Sequence, residues 1–174
     1  MINKNQLTER SFTPSQLSGF DGAHSIQLPV DFIHDLSKAD SLQAVLDTIA
    51  YWISHVFDAD RACITLQDTE EYLKLYSISG NHAIPKDFKI PIGQTFVGRV
   101  FACAKLIICD DLSQSDELDC RMLSEHGMET CMDAPMIHNG VCIGTLNVAD
   151  QRKHHYTLQQ AILLQSLATW LALN

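Results

Sequence analysis

Basic side chains are scarce in this sequence: Lys plus Arg number 12 against 21 Asp plus Glu, a formal net charge of −9. The densest cationic stretch is Arg152-Lys153-His154-His155, too little to neutralise a phosphate backbone, so nucleic acid is not expected as a partner. No run approaches the roughly 18 apolar residues of a membrane span. The opening MINKNQLTERSFTPSQ lacks the apolar stretch of a secretory signal. These absences give the expectation of a cytoplasmic protein with no membrane partner. The 6 cysteines form no CxxC or zinc-type spacing, which leaves no expected metal site. Most sit in apolar runs such as RACITL and LIICDD and read as buried reduced thiols. Glycine-rich phosphate loops, a Ser-His-Asp order and paired catalytic carboxylates are also missing. No catalytic residue is assigned and the expectation is a protein that is not an enzyme. His154-His155 has no third ligand at suitable spacing and reads as a solvated turn, while His126 beside Gly127 suits a helix end.

What is present is a core. The chain has 174 residues, 46% hydrophobic and 19% charged, which fits one globular domain. Met1–Leu28 is polar and reads as a flexible N-terminal segment (residues 1–28) with a short helix at Ser15–Ser18; the domain proper spans 29–174. A helical turn starts at Pro29. Ser41–Phe57 is the clearest helix, since Leu42, Val45, Leu46, Ile49, Ile53, Val56 and Phe57 recur at spacings of three and four. Arg61–Gln67 and Glu71–Ser79 pair as strands around Asp68–Glu70, and Phe88–Ile92 is a short strand. Thr95–Ala104 is helical, Leu106–Cys109 a strand, and Glu117–His126 a helix stopped by Gly127. Thr157 with Gln160 is a capping box that opens the last helix. That helix is apolar on two sides: Leu164, Leu167, Ala168 and Leu171 form one stripe, and Leu163 with Trp170 lies apart. The second side suits the same helix of another subunit, which predicts a homodimer through Leu163 and Trp170.

Thr130–Asp150 organises the whole. It is a hairpin turning at Asn139-Gly140. Met132, Ala134, Met136, Leu146 and Val148 make an apolar face. Cys131, Asp133, Thr145 and Asn147 make a partly polar one, with an acid in mid-strand where Asp is disfavoured. A strict two-residue turn would put Asp133 on the side of Leu146. The pattern therefore calls for an odd-length connection or a glycine bulge near Gly140. Helices before, within and after an antiparallel set of strands make an α+β sandwich, with the terminal helices on one sheet face and short helices and loops on the other.

Three segments carry a resemblance: SLQAVLDTIAYWISHVFDADRACITL, IPIGQTFVGRVFACAKLIICDD and EHGMETCMDAPMIHNGVCIGTLNVAD. In this order, over Val30–Leu173, the chain resembles the GAF family of sensory domains, which are related in fold to PAS domains. The resemblance implies a central antiparallel sheet of six or so strands, a pocket under short helices and loops, and dimerisation through the outer helices. It also implies a role in signal transduction, with a small-molecule ligand regulating an attached output domain such as a diguanylate cyclase or histidine kinase. It leaves cofactor and ligand unidentified. Some members are dimerisation modules with a filled pocket. Others are free methionine sulfoxide reductases, whose reactive cysteine stands beside the glycine of the third helix, a place held here by Val97 before Gly98. The bilin-binding Cys-His pair is not matched, since Arg121 follows Cys120, and the constellation of cyclic-nucleotide binders is not found.

Carried over by position, the pocket would be lined by Thr65, Cys131, Asp133, Thr145 and Asn147 from the strands. Thr95, Phe96 and Arg99 would come from the third helix, and Asp110, Asp111 and Met122 from the cover. Arg99 would offer a fork for a carboxylate or phosphate and Phe96 a stacking face, and the start of the Thr95 helix would present free N–H groups to an anion. The competing expectation is that Asp133 pairs with Arg99 and closes the core.

Overall fold

The structure is a computed structural model that describes residues 8–18 and 27–173. Its elements in chain order are β1 (Glu9–Phe12), α1 (Pro14–Ser18), α2 (Val30–Lys38), α3 (Leu42–Val56), β2 (Arg61–Gln67), β3 (Tyr72–Gly80), β4 (Lys89–Pro91), α4 (Phe96–Cys103), β5 (Leu106–Cys109), α5 (Leu118–Glu125), β6 (Thr130–His138), β7 (Val141–Asp150) and α6 (Leu158–Leu173). Among the described residues the strands form one sheet of seven in the order β1-β5-β6-β7-β2-β3-β4, and every pairing is antiparallel. This is the α+β sandwich the sequence predicts, with one strand more than the six implied by the resemblance.

The extra strand corrects the reading of the first residues as a flexible lead-in. Glu9–Phe12 pairs with Cys109–Leu106 at the sheet edge, and Leu17 of α1 is buried in the main core. Arg10 fixes the strand by a two-pronged ion pair to Asp110, 2.8 and 2.6 Å, and by a 2.7 Å bond to the Tyr156 carbonyl. A polar strand held by side-chain ion pairs carries no hydrophobic alternation, so periodicity cannot find it. The rest of that lead-in, 1–7 and 19–26, lies outside the described residues.

Local signals set the helix ends. The Ser41 hydroxyl accepts from Ala44 N, and Thr95 Oγ1 accepts from Gly98 N. In the capping box, Gln160 Oε1 accepts from Thr157 N at 2.9 Å and Thr157 Oγ1 from Gln160 N at 3.3 Å. Gly127 takes φ +88°, the left-handed conformation that ends α5. On one sheet face, α3 and α6 cover Ile64, Met132, Ala134, Leu146 and Val148; α4 and α5 cover the other.

Of the two alternatives, the hairpin has the bulge and keeps a two-residue turn. Asp133 pairs with Asn147 and Ala134 with Leu146, and the register shifts between Met136 and Ile137, which leaves Ile143 as the extra residue. The neighbouring glycine is required by close approach: a Cβ on Gly144 would lie 2.2 Å from the Thr65 carbonyl oxygen. The bulge turns Asp133, Thr145 and Asn147 to one side and Leu146 and Val148 to the other, as the apolar pattern requires.

Candidate functional site

Because β2, β6 and β7 are neighbours, their polar positions converge on the sheet face under α4 and α5. Arg61, Cys63 and Thr65 come from β2, Cys131 and Asp133 from β6, and Asn147 and Ala149 from β7. Leu75, Ile90 and Ile84 close one side, and Val97 of α4 with Asp119 and Leu123 of α5 form the roof. The space between them open to the centres of water molecules is about 30 Å³. That is room for one or two waters or a compact head group, not for a bilin or a nucleotide without movement of the roof.

The polar walls divide into satisfied and unsatisfied groups. The Arg61 side chain is buried and donates to the carbonyls of Asn81 and Ile84, pinning the loop that carries Ile84 over the cavity. Asp119 accepts from Phe96 N at 2.8 Å, Val97 N at 3.0 Å and Cys120 N at 3.0 Å. Thr65 and Thr145 bond each other through their hydroxyls at 2.5 Å. Asn147 donates from Nδ2 to Cys63 Sγ at 3.4 Å, but its Oδ1 is buried with no partner. Asp133, 5% exposed, has no hydrogen bond to its carboxyl group among the described residues. An unmet buried acceptor costs about 1–3 kcal/mol; Asn147 Oδ1 is the one at the cavity wall, and Tyr156 Oη and Gln165 Oε1 are two more buried atoms without a partner, away from this cavity.

Charge follows the same division. Burial drives the Asp133 carboxyl well above the ordinary carboxylate range, the negative charge of Asp119 adds to this, and Arg61 offsets part of it. Burial also raises Asp119, against the pull of the Val97, Phe96 and Cys120 N–H groups. The thiols are tuned away from reactivity. Burial raises Cys63, Cys109 and Cys131. Cys120 is raised as well, the hydrogen bond with Cys131 pulling down and burial pushing up.

Of the residues predicted from sequence, Thr65, Cys131, Asp133 and Asn147 line the cavity, and Thr145 stands behind Thr65. The others lie elsewhere. Arg99 does not pair with Asp133. It bonds Glu117 at 2.8 and 3.0 Å and Glu9 at 2.7 and 3.0 Å, with its guanidinium 5.1 Å from the Phe96 ring centre. Phe96 is core, and Thr95 is spent as the α4 cap. Asp110 is held by Arg10, and Asp111 caps the 112–114 turn and pairs with Lys153. Met122 packs half-buried against the cluster under α5. The helix start expected to receive an anion is already filled by the chain's own Asp119.

Arg61, Cys63 and Asp119 are the polar lining residues the sequence reading did not name. Arg61 shares strand parity with Cys63 and Thr65, so the alternation already placed it on the polar face. Asp119 had only a first-turn acid to announce it; its partners lie 22 and 23 residues away in sequence and meet it only in the fold. Among the described residues no group of three His, Cys, Asp or Glu is placed to hold a metal ion, and no helix is long and apolar enough to cross a membrane.

The sequence profile of the GAF domain matches residues 41–174. No curated protein matches the sequence significantly. Among solved structures, the chain is similar to the GAF domain of a phosphoenolpyruvate-protein phosphotransferase from Coxiella burnetii (19% identity, TM-score 0.70, covering 82% of this chain and 87% of that one). It is similar to free methionine-R-sulfoxide reductase from Neisseria meningitidis in complex with its substrate (19% identity, TM-score 0.70, covering 86% and 93%). It is also similar to the GAF domain region of a putative membrane protein from Geobacter sulfurreducens (25% identity, TM-score 0.64, covering 82% and 94%).

Proposed function

The chain belongs to the GAF domain family, and we propose on that premise that it is a regulatory domain whose cavity under α4 and α5 takes up a small molecule and so controls an effector. The observation that carries this reading is Asn147 Oδ1, a buried acceptor with no partner, beside Asp133, whose carboxyl group has no hydrogen bond among the described residues, on the wall of a cavity that is not filled by side chains.

β6 supplies the coupling. Cys131 and Asp133 line the cavity, while Met132, Ala134 and Met136 of the same strand pack in the core with Leu164 and Leu167 of α6. A shift of β6 on ligand uptake therefore moves the last helix, which hands the signal to an output domain or partner. The reductase reading is the weaker one: the thiols near the cavity are buried and raised, and Val97 holds the place of the reactive cysteine.

A second reading concerns α6. Leu158, Trp170 and Leu173 on this helix are exposed, and a groove of about 640 Å³ runs between α1 and α6 beside Trp170 and Leu173. These features support a homodimer through α6.

Thermal melting in the presence of a small-metabolite extract tests ligand uptake. Wild type is expected to gain stability and an Ala149→Val variant, whose added methyl groups fill the cavity, is not. Equal behaviour of the two overturns the reading.

A further inference from the structure

We propose that the cavity recognises a short carboxylate carrying a hydroxyl on its adjacent carbon, the carboxylate on Arg61 and the hydroxyl on Asn147 Oδ1. This rests on the reading of the cavity as a ligand site and names the chemistry that fits it.

Arg61 is 2% exposed and lines the cavity, yet it forms no ion pair among the described residues. Nη1 donates to the Asn81 carbonyl and Nη2 to the Ile84 carbonyl. The Nε–H and one hydrogen on each Nη are left over. The Cys63 thiol borders the guanidinium, but it is a weak acceptor that already receives Asn147 Nδ2. A buried cation without a counter-charge is costly, so an anion that reaches this wall is favoured.

The two acids of the cavity do not supply that charge. Asp119 is engaged by the N–H groups of Phe96, Val97 and Cys120 in the roof. Asp133 forms no ion pair with Arg61, and burial favours its protonated form, so it offers the space an O–H instead of a repelling charge. The neutral groups tip the same way. Asn147 Nδ2 has a second hydrogen, and the Thr65–Thr145 pair has one hydroxyl hydrogen beyond the bond they share. Donors thus outnumber acceptors, which suits an acceptor-rich anion. A carboxylate has two oxygens and matches the planar guanidinium. Asn147 Oδ1 is the exception, a buried acceptor without a partner, and one ligand O–H beside the carboxylate meets it.

Register and size agree. Arg61 pairs with Ala149 and Cys63 with Asn147, which makes Arg61 and Asn147 diagonal neighbours on one sheet face. Such neighbours stand roughly 7–8 Å apart, within the span of one small molecule. About 30 Å³ suits a head group of this kind. Leu75, Ile84, Ile90, Val97 and Leu123 make the other walls apolar, so recognition falls on Arg61, Asp133 and Asn147.

The test uses glycolate, acetate, ethylene glycol and methylammonium as probes at matched ionic strength. The Arg61 Nε–H and Asn147 side-chain amide resonances of the full chain report binding, with melting temperature alongside. Glycolate should give saturable shifts and raise the melting temperature. Acetate should bind about tenfold more weakly, the loss of one hydrogen bond to a buried acceptor. Ethylene glycol and methylammonium should give no response. Arg61→Gln should weaken the glycolate response roughly 10- to 100-fold. Asn147→Leu should bring glycolate down to the level of acetate, which keeps the test valid if Arg61→Gln folds poorly. Equal binding of acetate by wild type overturns the hydroxyl contact. A response to methylammonium or ethylene glycol overturns the carboxylate, and no response to glycolate overturns the whole assignment. Whether the ligand site falls with it is decided separately, by wild type against Ala149→Val in metabolite extract.

Discussion

Asp133 and Asn147 face each other across β6 and β7, and among the described residues neither Asp133 nor Asn147 Oδ1 finds a donor in the protein. The consequence is a pH dependence. Because burial raises the folded-state value of Asp133 above the ordinary one, folded protein holds this proton where the unfolded chain releases it. Stability is lost as pH rises above about 4 toward the folded value, and regained on acidification. Asp111 and Asp150 are lowered and act in the opposite sense, so the informative quantity is wild type minus variant. Asp133→Asn should be at least as stable as wild type at neutral pH, with the advantage shrinking toward pH 4. Urea denaturation across this range checks it; an advantage that grows on acidification contradicts it.

Asp119 is the opposite kind of acid. It satisfies three backbone N–H groups and joins α5 to the start of α4. Asp119→Ala orphans them and should cost about 2–3 kcal/mol in chemical denaturation. Asp119→Asn keeps an acceptor and should cost less. Equal losses would refute the capping role.

Arg99 ties α4 to β1 through Glu9 and to the start of α5 through Glu117. Its side chain is 38% exposed, so solvent screening limits the loss in Arg99→Met to about 1 kcal/mol. The effect should be local: hydrogen exchange in residues 9–12 should quicken far more than in β6. Uniform quickening would argue against β1 as a separately held edge strand.

The thiols should separate in reactivity. Cys103 is exposed, whereas Cys63, Cys109, Cys120 and Cys131 are buried. A thiol reagent should label Cys103 first and the half-buried Cys142 more slowly, reaching the buried four only on unfolding, and Cys103→Ser should remove the fastest phase. Rapid labelling of Cys120 or Cys131 in native protein would revive the redox reading.

Most of the fold was legible because its parts are bound to short-range signals. The stripe of α3, the capping box at Thr157 and the alternation in β6 and β7 each state their element within a few residues. Even an irregularity in the hairpin followed from a conflict between turn length and apolar pattern, and the structure realises it as the bulge at Ile143. The strand positions of the cavity were legible for the same reason, since parity alone puts Thr65, Cys131, Asp133 and Asn147 on one face. The roof was not. Arg99 was expected beside Asp133, but Glu9 and Glu117 claim it, and one of these belongs to a strand that hydrophobicity does not reveal. Asp119 takes the helix start instead, a contact between elements that sequence spacing cannot express.

The most direct test of the central claim, that the cavity holds a small molecule, is native mass spectrometry of gently purified protein after exposure to metabolite extract. Wild type should carry a discrete added mass that denaturation releases, and Ala149→Val should carry none. The same spectrum reports subunit number, where a dimer is expected for wild type and is weakened by Trp170→Asp. Bare wild-type mass, or the same added mass on the filled variant, would contradict the account.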